Sequence, residues 1–293
     1  MTQALNFFMH PPRTVIGSGA ELPPGATGAW GTRKMFAAYG GQCLRIRRSS
    51  DQAEQDIGFS GQALDTSALL SFTGAAHGFV ATLYDQTGNG RSLSQSTAAN
   101  QPQLVASGAV ITSIGGQPSL DFNGSSHYLE SAVAMSNFLT AAAGTIAVVF
   151  SLDTFTTSVG SPFPYNDSAI WADSAGFLGS HTDGNAQVIN AYAWDGNFSM
   201  VSRAALVATS YIHLWWHQSP TLKNYRNGVA VASVGPTNNI TDLTGALRIA
   251  RQYTTKYHDG QWAEAMTYNT ALMDEAVSDI GTICAGVYGL TWP

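Results

Sequence analysis

From residue 117 onward the chain repeats one device, a short run of alternating apolar and polar residues closed by glycine, asparagine or proline. Alternation with period two is the signature of a strand that buries one face. In "GTIAVVFSLDT", Ile146, Val148, Phe150 and Leu152 fall on one face, with Thr145, Ala147, Val149 and Ser151 on the other. "QPSLDFNG", "HYLES", "ALRIARQ" and "QWAEAMTYN" read the same way, and "YRNGVAVASV" sets Asn227-Gly228 between two strand-like runs, a strong hairpin signal. The period changes in "DEAVSDIGTICAGVYG", where Val277, Ile280, Cys284 and Val287 recur at helical spacing. Asp274 and Glu275 suit the positive end of that helix, and Gly289 its end. Many short strands closed by one helix imply a mostly β chain folded as a two-sheet jelly-roll sandwich.

The first third is more mixed. "TRKMFAAY" (32–39) predicts a short helix stopped by Gly40-Gly41, and "CLRIRRSS" and "GFVATLYDQ" predict strands. "LDTSALLSFTG" predicts a helix capped by Asp65 or Thr66 and ended by Gly74. Residues 28–116 therefore form a mixed α/β opening portion, and 117–293 the sandwich proper. Ahead of them, residues 1–27 hold Pro11, Pro12, Pro23 and Pro24 among glycines. Proline excludes a helix or central strand of any length there, which predicts an extended arm with Pro11, Pro12, Arg13, Pro23 and Pro24 as particle-attachment residues.

Charge narrows the partners. Only 11% of residues are charged and the net charge is −6, so nucleic acid is excluded as an expected partner. The single basic cluster, Arg45, Arg47 and Arg48, is followed at once by Asp51, Glu54 and Asp56. Cys43 and Cys284 lack metal-ligand spacing and read as two buried thiols. The first residues lack the features of a secretory signal, and no apolar run approaches the ~20 residues that span a bilayer. A low-charge, turn-rich chain without an export signal fits a product made in the cytoplasm and released by lysis.

Glycoside hydrolysis needs only two carboxylates across a cleft, and Asp85, Asp173, Asp183, Asp195, Asp259 and Glu264 are the acids considered. No E-x-D-x-E run aims several of them into one groove, and Glu264, between apolar neighbours, reads as the partner of a buried arginine. Serine-hydrolase and phosphate-loop motifs are absent. No cofactor and no metal is expected; "DSAGFLGSHTDGN" lacks the spacing of a calcium loop, leaving a structural calcium at a sheet edge as the one ion considered. In "YIHLWWHQ", period two puts Tyr211, His213, Trp215 and His217 on one face and Ile212, Leu214 and Trp216 on the other. The first face mixes rings with hydrogen-bonding groups, as a glycan-binding surface does. Trp171, Tyr192, Trp194 and Asp195 join it as candidates; the competing reading makes these aromatics a second core layer.

"GTRKMFAAYGGQCLRIRRSSD" followed by "ATLYDQTGNGRSLSQSTAANQPQLV" resembles the opening of the catalytic domain of fungal α-L-arabinofuranosidase B, whose motif appears here as Tyr84-Asp85-Gln86-Thr87-Gly88-Asn89-Gly90. That resemblance implies a concanavalin A-like jelly roll. The second half is similar to laminin-G-like modules. The arabinofuranosidases carry adjacent catalytic-pocket cysteines and a nucleophilic Glu in a Met-x-x-Glu-Asn context; this chain has neither, so no catalytic residue carries across. In the motif, Asp85, Gly88, Asn89 and Gly90 read as a structural turn, the acid and amide satisfying backbone donors and the glycines supplying positive φ. Structural proteins of phage-like particles resemble the same combination. The resulting expectation is a non-enzymatic fibre, spike or decoration protein on the surface of a virion or phage-like particle. It binds other particle proteins through the arm and host-surface polysaccharide through the aromatic face, and is displayed in several copies or as a homo-oligomer, without membrane insertion. An arabinofuranosidase-type hydrolase and a purely architectural virion protein are the alternatives.

Overall fold

A computed structural model of the chain describes residues 22–153, 167–172, 175–183, 186–194, 198–204, 209–232, 239–240, 242–252 and 256–293, with the side chains of 167–204, 231, 232, 252 and 256 outside that description. The strands pair antiparallel throughout and stack as two layers. One layer centres on Asp259–Tyr268, flanked on one side by Ala143–Leu152 and on the other by Gly28–Gly31 and Leu120–Asn123. It continues through Thr209–Gln218 and Thr221–Arg226 to Val229–Ala232. The second layer runs from Glu54–Ile57 through Leu44–Arg48, Gly78–Leu83 and Leu93–Ser94 to Leu129–Ala134 and Ala246–Ile249. Asp167–Ala172 joins beyond that, followed by Ala175–Asp183, Ala186–Trp194 and Phe198–Ala204.

Two cores follow from period two. Between the layers, Leu44, Ile46, Val80 and Ile249 meet Trp30, Phe122, Val148, Phe150 and Trp262. On the outer side of the first layer, Ala29, Ala147, Val149, Leu214 and Met266 pack with Val277, Ile280 and Cys284 of helix α2 (Asp274–Tyr288). The Ala143–Leu152 strand therefore serves both, and each of its residues beyond Ala143 is buried. Burying each large apolar side chain of this kind contributes about 1.5–3 kcal/mol.

Several local expectations are met. Helix α1 (Thr66–Thr73) starts where Asp65 Oδ1 accepts from the Ala68 N–H and stops at Gly74, whose φ is 56°. Helix α2 carries Asp274 and Glu275 in its first turn and ends on left-handed Gly289. Asn227 and Gly228, at φ 46° and 82°, join the Thr221–Arg226 and Val229–Ala232 hairpin.

The expected helix over 32–39 does not form. The side chain of Gln86 captures the backbone groups such a helix would use: its Oε1 accepts from the Met35 N–H, and its Nε2 donates to the carbonyls of Gly31 and Arg33. Before the first strand, Leu22 is buried in the helix-side core and the Pro23 carbonyl accepts from the Tyr268 hydroxyl, while Pro24 is exposed. Pro11, Pro12 and Arg13 lie outside the described residues. No helix of the described residues is long and apolar enough to cross a membrane.

Candidate active site

The Tyr84–Gly90 loop is built around a carboxylate that has no capacity left for a substrate. Asp85 is 4% exposed. Its Oδ1 accepts from the backbone of Ala29 and from the N–H and hydroxyl of Thr87; its Oδ2 accepts from the Arg91 N–H and the same hydroxyl. Gly88 and Gly90 take φ of 83° and 71°, and the Asn89 amide donates to the Thr27 carbonyl. Glu264 is equally consumed. Arg33 grips it through Nε at 2.6 Å and Nη2 at 3.0 Å, and Cys284 Sγ and the Tyr288 hydroxyl each donate to it at 3.1 Å. Burial alone pulls the Arg33 guanidinium down, but the Glu264 carboxylate more than offsets it and holds the arginine above its ordinary value. Both cysteines are buried free thiols.

The aromatic face lies inside. Tyr211, His213, Trp215 and His217 share one side of their strand and all are buried, Tyr211 beside Phe150 and Trp215 beside His217. His213 Nε2 shares a hydrogen bond with Asn224 Oδ1 at 2.8 Å. On the other side, Trp216 donates to the Leu272 carbonyl. Trp171 belongs to the Asp167–Ala172 strand and Tyr192 and Trp194 to Ala186–Trp194, their side chains lying outside the description; Asp195 and Asp173 are outside it altogether, and Asp183 is placed only as the last residue of its strand.

Carboxylates do converge elsewhere, where Leu120–Asn123, the end of Ala143–Leu152 and the start of Asp259–Tyr268 meet. Asp121 stands opposite Gln261, and Asn123 opposite Asp259. Leu120, Phe122 and Trp262 enter the inner core, so alternation turns Asp121 and Gln261 to the outer face. The Gln261 Nε2 donates to Asp121 Oδ1 at 2.8 Å and to Asp153 Oδ2 at 2.9 Å, while its Oε1 accepts from the Ser151 hydroxyl. A single amide nitrogen thus holds two carboxylates, with their nearest oxygens less than roughly 6 Å apart, and two acids are what glycoside hydrolysis requires. Asp153 is exposed and Asp121 half-buried. The Asp121 carboxyl is raised from its ordinary value, first by burial, then by the charges of Asp153 and Asp259, against the Gln261 hydrogen bond and His127. A carboxyl raised beside a second acid has the character of a general acid.

The backbone there admits little change. The Asp153 N–H donates to the Asp259 carbonyl, and a side chain at Gly260, φ 147°, would collide with the Ser151 carbonyl. Of the acids singled out in the sequence, Asp259 alone among the described residues is at this place. Asp121 and Asp153 are missed by sequence reasoning, although "LDF" shows an acid between two core positions of an alternating strand. Among the described residues, no group of histidine, cysteine and carboxylate side chains is arranged to hold a metal ion.

A family model described as the catalytic domain of α-L-arabinofuranosidase B matches residues 18–147, a span that contains Asp121. No curated protein matches. Among solved structures, the chain is similar to a GH54 α-L-arabinofuranosidase soaked with a cyclic sulfate inhibitor, at a TM-score of 0.63 and 14% identity over 90% of this chain and 63% of that one. It is also similar to an arabinofuranosidase complexed with arabinofuranosyl-α-1,2-xylobiose, at a TM-score of 0.60 and 13% identity over the same shares. The chain spans less than two thirds of the length of those enzymes. These findings overturn the expectation of a non-enzymatic fibre, spike or decoration protein of a phage-like particle, because a catalytic-domain match and a glycoside-hydrolase fold take the place of a virion component. The N-terminal part of the chain is arabinofuranosidase-like, and the whole shares the sandwich fold of those hydrolases.

Proposed function

We propose that the chain is a glycoside hydrolase of α-L-arabinofuranosidase type. The observation that carries this reading is the catalytic-domain match over residues 18–147; the amide-linked acid pair supplies its chemistry. This chain lacks the adjacent cysteines and the Met-x-x-Glu-Asn segment of the arabinofuranosidases, so its acids come from its own positions. Asp121, whose carboxyl is raised by burial and by neighbouring charge, gives its proton to the departing glycosidic oxygen. Asp153, the exposed member of the pair, attacks the anomeric carbon from the opposite side. Water then releases the sugar from Asp153, with Asp121 now taking a proton from that water, and configuration is retained. Gln261 positions both acids.

The test is release of nitrophenolate from 4-nitrophenyl α-L-arabinofuranoside. The expected outcome is turnover that falls by at least about a hundredfold in Asp121→Asn and in Asp153→Asn, with azide restoring part of the rate in an Asp153→Gly variant. Turnover that survives both substitutions removes the pair from the mechanism, and absence of turnover by the folded wild type overturns the reading.

A further inference from the structure

Two clefts lie on either side of the turn at Tyr39, Gly40 and Gly41. The larger, of about 520 Å³, runs between Pro24, Phe36, Tyr39 and the Gln86–Gly88 segment. The smaller, of about 290 Å³, runs between Lys34, Tyr39, Gln42 and Phe59. Both border Tyr39, Gly40 and Gly41, so together they make one track crossed by the tyrosine ring. Ala26 and Phe36 pack against the helix-side core, which places the larger cleft on the same face of the first layer as Asp121 and Gln261.

The lining has the chemistry of a sugar-chain site. The Tyr39 ring is held by its hydroxyl, which donates to the Gln42 carbonyl at 2.9 Å, and by the Phe59 ring, near-perpendicular to it at 6.2 Å. A fixed, half-exposed ring offers area for stacking at low entropy cost. The Lys34 ammonium and the Gln42 side-chain amide make no hydrogen bond or ion pair among the described residues, so their donors remain available to hydroxyls. An added Cβ at Gly25, Gly40, Gly61 or Gly88 would meet nothing within 4 Å, whereas at Gly41 it would meet the Tyr39 ring and at Gly58 the Gln42 side chain, so the two side chains stand over the floor of the track and its flanks are open.

We infer that this track binds a neutral polysaccharide chain, with a sugar ring stacked on Tyr39 and its hydroxyls met by Lys34 and Gln42. The inference rests on the glycosidase reading only for the identity of that chain, the polymer that carries arabinofuranosyl groups. The track's lining shares no residue with the acid pair or Gln261, so its loss changes affinity for polymer and leaves the bond-breaking step intact.

The experiment is affinity electrophoresis in gels containing soluble arabinoxylan, run beside kinetics on arabinoxylan and on 4-nitrophenyl α-L-arabinofuranoside. Wild type is expected to be retarded. Tyr39→Ala and Gly40→Trp, the latter filling the track from an open position, each weaken retardation by about tenfold. They raise KM for the polymer similarly and leave the rate on the small glycoside unchanged, while Tyr39→Phe behaves as wild type. Equal retardation of wild type and both variants overturns the groove, as does a wild type that hydrolyses the small glycoside but is not retarded. Retardation that depends on Tyr39, without any hydrolysis, keeps the groove and overturns the enzyme.

Discussion

His258 is fully buried, with its ring at 5.6 Å from that of Phe150 and 6.3 Å from that of Phe122, both in edge geometry. Burial drives its pKa down to about 4, against smaller upward pulls from Asp259, Asp153 and the backbone of Gln261 and Ser151. Because the folded value lies below the ~6.5 of an unfolded histidine, the unfolded chain binds the extra proton. Stability is therefore full above pH 6.5 and is lost as pH falls from there toward 4, by about 3 kcal/mol. Asp121, shifted upward, acts in the opposite direction over the acid range, so the histidine is isolated by comparison with a variant. Chemical denaturation of His258→Leu between pH 7 and 4 is expected to show a flatter profile than wild type; identical profiles would remove the assignment. At this scale the sequence is legible where a residue acts through its nearest neighbours. Asp85 and Glu264 could both be read as structural from local context, one from its glycine-rich turn and one from its apolar flanks. The pairing of Asp121 with Asp153 could not, because Gln261 joins strands that are distant in the chain.

At the scale of elements, Arg33, the Asp259–Tyr268 strand and α2 are locked by one carboxylate. Glu264 accepts four bonds, two from Arg33 and one each from Cys284 and Tyr288. Removing the arginine leaves a buried charge unpaired, at a cost of about 3–5 kcal/mol. Arg33→Met is therefore expected to lower stability by that amount, and Arg33→Met with Glu264→Gln to recover much of it, since the amide is uncharged, its oxygen accepts from one of the thiol and hydroxyl, and its nitrogen donates to the other. A double variant as unstable as the single one would show that Arg33 acts through packing instead of charge. The same elements show why strand and helix periods were readable while 32–39 was not. Helix α2 and the Ala143–Leu152 strand announce themselves by periods of 3.6 and 2, each set by a core they face. The apolar and basic residues of 32–39 fit a helix on local propensity, but Gln86, far along the chain, takes the backbone partners that a helix needs. Long-range capture of backbone groups leaves no local trace.

For the molecule as a whole, the mixed opening and the later sandwich share strands. Gly28–Gly31 and Leu120–Asn123 both pair with Asp259–Tyr268, and Leu93–Ser94 pairs with Leu129–Ala134. Trp30 and Trp262, from opposite ends of the chain, are fully buried in one core with Leu44, Val80 and Phe150. Separating residues 28–116 from 117–293 would expose that core on both sides and leave the edges of Gly28–Gly31 and Asp259–Tyr268 unpaired, which neither fragment can compensate alone. One cooperative unit follows, and so does slow folding, because the decisive pairings join the two ends of the sequence. Calorimetry is expected to show a single endotherm for residues 22–293, with van't Hoff and calorimetric enthalpies in agreement. The two fragments, expressed apart, should lack a thermal transition and regain one when mixed. Two resolved endotherms, or a cooperative transition in either fragment alone, would divide the chain at about residue 116 into separately folding domains, and the acid pair of Asp121 and Asp153 would then lie entirely within the second.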